Sequence, residues 1–422
     1  MNNAFLKSFQ TLKAVYDEKA FSSVTLNKTL LFCTSQDRAL ITKIVYGVLD
    51  NDIKLNYVIG KFVKKMPKGD TLVYLKIGAF CLMELSIPVY AVVNDVAELS
   101  KLSADKRIVG FVNATLKSMA ASDIKNFDDY PADFAVGTSI RYSYPEWAFR
   151  KLIKDYGKEI AEKIVSHKAD NRTTARFVGN VTAEQIQVEY GCNAEQTALP
   201  NVFYLSGKMP KSNEKFTPQS ISSVAVAKIV ANCGGNNVLD CCSAPGGKAV
   251  CIKQLCPQAA VTACDVHPHR VELINSYAAR MGVEIKTVCA DMTLPMDDFV
   301  GKFDTVLCDV PCSGFGVLDS RPDIKLFRQN EDISSLMKLQ YAILSNCSNY
   351  VASGGSLVYS TCTIFDNENG QNVRKFLKEH TDFSYGTIHL PKLPQTDGKP
   401  FYQFLPCVDN MPGFYVAVLK RN

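Results

Sequence analysis

The sequence has little of several features that define other classes of protein. It contains one tryptophan and five histidines, and none of its cysteines is spaced Cys-x2-Cys, so the common zinc-binding patterns are missing. Its most apolar stretch, residues 72–93, includes Lys76 and Glu84, which excludes an uncharged span of about 20 residues. The first residues lack a basic segment followed by an apolar one, so no secretion signal is expected. These absences favour a cytoplasmic protein with no bound metal and no membrane partner.

Cysteine, by contrast, is abundant. The 422 residues include 15 cysteines, and eleven of them lie between Cys233 and Cys362. Disulfide scaffolds are typical of short secreted chains, whereas this chain is long and is not expected to be secreted. Free cysteine is among the most buried residue types, so most of the fifteen are predicted to be reduced core residues. The question that matters for function is whether one or two of them are reactive.

The composition is that of a globular protein with more than one domain. Apolar residues make up 47% of the chain and charged residues 21%, with a mean hydropathy of −0.02. The charge is uneven: residues 1–230 carry 30 Lys and Arg against 23 Asp and Glu, whereas residues 231–422 carry 17 against 19. A basic front half is compatible with nucleic-acid binding and equally with a solvated, lysine-rich surface.

The pattern of apolar residues divides the chain into three predicted domains. Residues 5–120 show helical periodicity, which predicts an all-α domain over residues 1–128. A polar segment follows, and residues 138–215 mix a helix with short apolar runs, which predicts a small α/β linker domain. From residue 216 to residue 422, short strands alternate with helices, which predicts an α/β domain with a mostly parallel, Rossmann-like sheet.

A glycine-rich turn follows the first strand of that domain and is the first candidate site. Its residues are Cys242, Ser243, Ala244, Pro245, Gly246, Gly247 and Lys248. Neither the dinucleotide fingerprint nor the phosphate loop is present, which favours a nucleoside-type ligand over a pyrophosphate. Asp265, Asp291 and Asp309 each follow a later strand, where carboxylates commonly accept bonds from ribose or base groups. Acidic residues at three strand ends, together with the turn, predict a site for S-adenosylmethionine.

Two cysteines follow strands at the same predicted edge, Cys312 in Pro-Cys-Ser-Gly and Cys362 in Ser-Thr-Cys-Thr. Either could be one more buried thiol. Carbon 5 of cytosine, however, is too weak a nucleophile to attack a sulfonium methyl group until a thiolate adds to carbon 6. A base must then remove the proton on carbon 5 so that the thiolate can leave. Asp309, close to Cys312 in sequence, is placed to stabilise such an adduct at the N3/N4 edge of the ring.

The order of these motifs resembles that of the NOL1/NOP2/Sun family of RNA cytosine-5 methyltransferases. The resemblance rests on residues 242–248, 309–314 and 360–362, on Arg321 to Lys325, on Glu368 and Asn369, and on Gly413 to Tyr415. It implies that Cys362 is the nucleophile and that Cys312 helps to free the methylated product. It also implies that residues 242–248, with Asp265, Asp291 and Asp309, form the cofactor and active-site shell, with Lys248 and Asp309 among the catalytic residues.

The N-terminal part resembles the NusB-like RNA-binding domain of the Sun (Fmu/RsmB) branch of that family. The matching segments are residues 37–40, 46–49, 87–88, 94–96 and 110–114, and residues 141–147 resemble the linker motif of the branch. The resemblance implies methylation of 16S ribosomal RNA. We expect a monomer that acts on an unassembled or partly assembled small subunit.

The sequence departs from the family pattern at a few positions, and two other functions stay open. Ser243 and Val310 stand where alanine is usual, and residues 217–223 lack two acidic residues of the usual pattern. A methyltransferase for exocyclic amines would need no thiol, but the loop at Asp309 lacks that class's second proline and aromatic residue. An RNA-binding ribosome assembly factor with a decayed catalytic site is the third hypothesis, and the intact Lys248, Cys312 and Cys362 argue against it.

Overall fold

The computed structural model describes residues 3–103, 105–168, 170, 172–207 and 209–422. Met1 and Asn2 therefore lie outside the described residues. They belong to the N-terminal segment in which no secretion signal is expected. The chain forms two compact units. The helical unit extends to Ser166 and includes residues 318–330, and the sheet unit comprises residues 167–317 and 331–422. All fifteen cysteines have free thiols, as the sequence predicts.

The helical unit confirms the predicted all-α front of the chain. Its first ten helices are α1 (Asn3–Glu18), α2 (Ser22–Leu30), α3 (Ser35–Asp50), α4 (Asp52–Gly60), α5 (Asp70–Glu84), α6 (Val89–Ser100), α7 (Lys106–Ala121), α8 (Phe134–Arg141), α9 (Glu146–Tyr156) and α10 (Lys158–Ser166), with a 3-10 turn at Ile124–Asn126. Every residue of helix α5 from Val73 to Met83 is buried, so the most apolar stretch of the sequence forms a core helix. No helix in the described ranges is both long and apolar enough to cross a membrane.

A small antiparallel sheet begins the sheet unit. It contains β1 (Thr173–Phe177), β2 (Asn193–Gln196), β3 (Val202–Ser206) and β4 (Phe216–Pro218) in the order β2-β3-β1-β4, with α11 (Ala183–Tyr190) between β1 and β2. The boundary between the two units, at Ser166, falls inside the predicted linker domain of residues 138–215. The three-domain boundaries at 128, 138 and 215 stay a prediction, because two compact units are a coarser division.

The main sheet of the sheet unit confirms the predicted strand–helix alternation. The remaining elements are α12 (Ile221–Cys233), β5 (Asn237–Asp240), α13 (Gly247–Leu255), β6 (Ala260–Asp265), α14 (Pro268–Arg280), β7 (Lys286–Cys289), β8 (Phe303–Asp309), α15 (Ile324–Phe327), α16 (Asn330–Ser348), β9 (Val351–Thr361), α17 (Gly370–Glu379), β10 (Phe383–Tyr385), β11 (Phe401–Phe404), α18 (Pro406–Asp409) and β12 (Phe414–Arg421), with a 3-10 turn at Asp297–Phe299. The strand order is β10-β12-β9-β8-β5-β6-β7, and β11 pairs with β12.

Strands β9, β8, β5, β6 and β7 are parallel, and β12 runs antiparallel to β9. The apolar residues of β8, such as Val306 and Leu307, are fully buried, as expected for a sheet with both faces covered. Because the strands are parallel, their carboxyl ends meet at one edge of the sheet, and the predicted site residues follow those ends.

Residues 318–330 belong to the helical unit although they lie between β8 and α16 of the sheet unit. The Lys325 ammonium donates to the backbone oxygen of Asp50 at 2.7 Å and also pairs with its carboxylate. The Ser22 hydroxyl donates to Asp323, and Leu326 and Phe327 pack on the helical core. The Arg321–Lys325 motif is thus an anchor of this segment in the helical unit, far along the chain from the residues that it contacts.

Candidate active site

The glycine-rich turn connects β5 to α13. Gly246 has φ of 103°, a conformation that favours glycine, and a Cβ there would lie 3.2 Å from Ile274. The Gly246 N–H donates to the Ser243 carbonyl at 2.8 Å, which closes the turn. The first backbone N–H groups of α13 follow directly, and such groups suit an anionic or polar ligand.

A cavity of about 670 Å³ lies beside this turn. Six of the predicted residues line it, namely Ser243, Ala244, Pro245, Gly247, Lys248 and Asp309. The rest of its wall comes from residues 212 and 217–220, from Ser223 and from one face of α14. Cys242, Gly246, Asp265 and Asp291 are not on this wall, so the structure brings only part of the predicted shell together there.

Asp265 and Asp291 lie at the ends of the neighbouring strands. The buried Asp265 carboxylate accepts from the His267 N–H at 3.2 Å and pairs with Arg270 at 3.3 Å. Asp291 is exposed, and its Oδ1 accepts from both the N–H and the hydroxyl of Thr293, which lowers the pKa of the Asp291 carboxyl. The Ala290 N–H donates to the Asp265 carbonyl at 3.0 Å, so the two strand ends are adjacent.

Asp240, the last residue of β5, is a buried carboxylate to which the sequence analysis gave no role. It is 1% exposed, and neither carboxylate oxygen has a hydrogen-bond partner among the described residues. Burial, followed by repulsion from Asp309, raises the pKa of Asp240 to about 7. Asp240 is one more acidic residue at the end of a parallel strand. The pattern that predicted Asp265, Asp291 and Asp309 could therefore have identified it as well.

Lys248 and Asp309 form an ion pair at the centre of the site. The Lys248 Nζ lies 2.6 Å from Asp309 Oδ2, and the Ser360 hydroxyl donates to Asp309 Oδ1 at 2.8 Å. Burial alone would lower the pKa of Lys248, but the charge and hydrogen bond of Asp309 outweigh it and raise that pKa. Lys248 therefore stays cationic and holds Asp309 in one orientation.

The two predicted cysteines are in contact. Cys312 Sγ lies 3.2 Å from Cys362 Sγ, and both side chains are partly exposed. The hydrogen bond from Cys312, helped by the charge of Lys248, lowers the pKa of Cys362. The same bond, together with burial, raises the pKa of Cys312 well above its usual value. Cys362 is thus the more readily ionised thiol of the pair, and Cys312 is the less readily ionised one.

Backbone contacts fix the two cysteine loops. The Gly316 N–H donates to the Cys362 carbonyl at 3.0 Å, and the Gly413 N–H donates to the Gly316 carbonyl at 2.7 Å. A Cβ on Gly316 would lie 2.0 Å from the Gly413 oxygen, so only glycine permits this approach. Through these two hydrogen bonds, Gly413 of the C-terminal Gly413–Tyr415 motif supports the loop that carries Cys362.

Comparison with known proteins agrees with this geometry. Residues 227–420 match the family model described as 16S rRNA methyltransferase RsmB/F, and residues 4–121 match the NusB family. A relative from Bacillus subtilis, named "Probable ribosomal RNA small subunit methyltransferase B", is 31% identical over 98% of both chains. The chain belongs to the RsmB/F family of methyltransferases. The predicted resemblance, fold class and cofactor are confirmed, and S-adenosylmethionine is the methyl donor of this family member.

Other relatives of the RsmB/F chain extend the comparison. The ribosomal RNA small subunit methyltransferase B of Pasteurella multocida is 28% identical and covers 98% of this chain and 94% of its own. The crystal structure of PH0851 has a TM-score of 0.81 at 19% identity and covers 100% of this chain and 99% of its own. NSun6 from Pyrococcus horikoshii, solved with SFG, has a TM-score of 0.54 at 19% identity and covers 70% and 99%. These two structures are similar to this chain in fold.

Proposed function

We propose that this protein methylates carbon 5 of a cytosine in 16S ribosomal RNA through a covalent adduct between Cys362 and carbon 6. The single observation that supports this most is the contact between Cys312 and Cys362, whose pKa values move in opposite directions at 3.2 Å. Methylation of an exocyclic amine would need neither thiol. An assembly factor that only binds RNA would need no thiolate.

The residues at the turn fit S-adenosylmethionine. Its sulfonium and ammonium groups are cationic, and the buried Asp240 carboxylate beside the turn has no partner of its own. The hydroxyl of Ser243 is likewise buried without a hydrogen bond. We assign residues 242–248, with Asp240, Asp265, Asp291 and Asp309, to holding the cofactor, which when bound supplies an electrophilic methyl group.

Cys362 begins the reaction by adding its thiolate to carbon 6 of the cytosine, which makes carbon 5 nucleophilic. Lys248 favours the thiolate form of Cys362 and keeps Asp309 oriented. Asp309 faces the N3/N4 edge of the ring in this proposal and shares a proton with N3, which stabilises the charge of the adduct. Both side chains are held before the substrate binds, so little reorganisation is needed.

Cys312 completes the reaction as the base that removes the proton from carbon 5. In the free protein the hydrogen bond with Cys362, burial and then the charge of Cys362 raise the pKa of Cys312. Once the Cys362 sulfur is bonded to carbon 6 it carries no charge, so the pKa of Cys312 falls, its proton passes to solvent water, and the resulting thiolate can act as the base. Removal of the carbon 5 proton then expels Cys362 and frees the 5-methylcytosine.

The expected partner is 16S ribosomal RNA, free or in a partly assembled small subunit, with the NusB-family domain contributing to RNA binding and the protein acting as a monomer. The reaction requires two reduced thiols, which accords with the predicted cytoplasmic location.

The test uses the full-length protein with 16S ribosomal RNA and S-adenosylmethionine. Mass spectrometry of the digested RNA should show 5-methylcytosine as the product. Cys362→Ala should lower turnover by at least about 1,000-fold, because it removes the nucleophile. Cys312→Ala should instead accumulate a covalent protein–RNA complex visible on a denaturing gel, since carbon 5 keeps its proton. Full activity of Cys362→Ala, or methylation of an exocyclic amine, would contradict the proposal.

A further inference from the structure

Glu368 is a fully buried carboxylate that has no part in the steps above. It is 0% exposed and begins the Glu368–Asn369 motif between β9 and α17. Among the residues that the structure describes, no lysine or arginine forms an ion pair with it. A buried carboxylate in such a position needs hydrogen-bond donors to offset its desolvation.

Four donors from three segments satisfy this carboxylate. Oε1 accepts from the Ser313 N–H at 2.8 Å and from Gln340 Nε2 at 2.9 Å. Oε2 accepts from the Ser313 hydroxyl at 2.6 Å and from the Thr363 hydroxyl at 3.3 Å. Gln340 also donates to the Pro311 carbonyl at 2.9 Å, and the Ser313 and Thr363 hydroxyls lie 2.8 Å apart.

These bonds join the two cysteine loops. Ser313 is the residue after Cys312, and Thr363 is the residue after Cys362. Bonds to charged acceptors are stronger than neutral ones, so the Glu368 carboxylate fixes both loops more firmly than a neutral side chain could. The distance between the two sulfur atoms therefore depends on Glu368.

Charges of opposite sign flank the thiol pair. The ammonium of Lys248 acts on Cys362 and lowers its pKa, whereas the charge of Glu368 adds to hydrogen bonding and burial in raising the pKa of Cys312. Glu368 also raises the pKa of Cys362, but there it is opposed by Lys248. The charge of Asp309 also raises the pKa of both thiols, and the lowering by Lys248, together with the hydrogen bond from Cys312, gives Cys362 the lower pKa of the two.

We propose that Glu368 is a positioning residue that holds Cys312 against Cys362 and keeps Cys312 the protonated member of the pair. The inference rests on the proposed function, in which Cys312 must wait as a thiol until the adduct has formed. Without Glu368 the Gly316–Cys362 backbone bond would still join the two loops, but the Cys312 thiol would no longer be held against Cys362 and would lose its proton before it is needed.

The first test measures the thiols without RNA. In a Cys362→Ala background, Cys312 is the remaining thiol of the pair, and its alkylation by iodoacetamide can be followed against pH by peptide mass spectrometry. Adding Glu368→Gln should move that curve to lower pH by about 1 unit, since a negative charge is removed. Tyr359→Phe is the matched control, because its hydroxyl donates to the backbone oxygen of Glu368 at 2.6 Å and leaves the carboxylate intact. It should not move the curve.

The second test measures turnover in the otherwise unaltered protein. Glu368→Gln should lower kcat by about 10-fold or more, leave KM for RNA unchanged and lengthen the life of the protein–RNA complex, because Cys312 is displaced. Ser313→Ala keeps the charge but removes the hydroxyl bridge, so it should lower kcat without moving the alkylation curve, and it serves if Glu368→Gln does not fold.

An unmoved curve in Glu368→Gln, or wild-type turnover in Ser313→Ala, would overturn the proposal. Alkylation requires neither RNA nor methyl transfer, so a shifted curve in a protein that makes no 5-methylcytosine would separate this role of Glu368 from a failure of the proposed function.

Discussion

The sheet unit contains two clusters of cysteines in opposite surroundings. In the thiol pair, Cys312 and Cys362 are partly exposed, and the charges of Asp309 and Glu368 act on both of them while that of Lys248 acts on Cys362. In the thiol triad, formed by Cys241, Cys308 and Cys347, the three sulfur atoms lie within 4.8 Å of one another and no residue is more than 1% exposed. Cys308 is only four residues from Cys312 in sequence, so the surroundings and not the sequence neighbourhood distinguish the clusters.

The comparison shows that proximity of thiols does not by itself make an active site. Hydrogen bonds from Cys241 and Cys308 lower the pKa of Cys347 to about 6, while burial raises the pKa of Cys241 well above its usual value. The triad nevertheless packs among buried apolar residues such as Leu239 and Val306. The thiol pair differs from the triad because its side chains are partly exposed and charged residues act on them.

The largest expected difference is in the rate of alkylation. Cys362, whose pKa is lowered, should react with iodoacetamide in the native protein, whereas the triad should react only through unfolding. With a free energy of unfolding of about 5 kcal/mol or more, the triad should be protected at least about 1,000-fold. Peptide mass spectrometry over time measures both, and the exposed Cys289 is an internal standard. Equal rates for the two clusters would contradict the distinction.

Asp240 directly precedes Cys241 of the triad. It therefore tests whether the charged surroundings of the active site extend as far as the triad. Its pKa of about 7 in the folded state exceeds the usual 3.8. The folded state therefore binds the proton more tightly, and stability falls as pH rises from about 4 to 7. Asp240→Asn removes that loss, so it should raise the free energy of unfolding by about 2 to 4 kcal/mol at pH 8 and by little at pH 4.

Urea unfolding at the two pH values measures this effect. The same variant should weaken binding of S-adenosylmethionine in a calorimetric titration, if Asp240 faces the cofactor as proposed. An equal change in stability at pH 4 and pH 8 would show that Asp240 carries no raised pKa, and would place it with the packed core of the triad.

Much of this architecture could be predicted from the sequence because its signals are local. Parallel strands that end in Asp265 and Asp309 follow from short apolar runs and their spacing, and the predicted strand–helix alternation formed in the main sheet. The sequence pattern also predicts one helix from Pro145 to Lys168, and the structure has two, because Gly157 has φ of 80° and separates α9 from α10.

The missed features depend on contacts between distant parts of the chain. The triad takes its sulfurs from the residue after β5, from β8 and from α16, so no spacing rule could find it. The Lys325–Asp50 pair joins residues 275 positions apart. Glu368 was visible as a motif, but its purpose becomes apparent only when Ser313 and Gln340 are seen to donate to it. Roles assigned to Cys312, Asp291 and the other site residues stay predictions.

The smallest expected effect concerns Lys248, whose positive charge is one of the features that the thiol pair has and the triad lacks. Lys248→Met keeps most of the side-chain volume but removes the ammonium that lowers the pKa of Cys362. A rise of about 1 unit in that pKa should slow the alkylation of Cys362 at pH 7 by about 10-fold and leave the triad unaffected. Lys253→Met, on the same helix, is the control, because Lys253 donates to the carbonyls of Pro257 and Ala259. If both variants alkylate at the wild-type rate, the hydrogen bond from Cys312 would be the sole cause of the reactivity of Cys362.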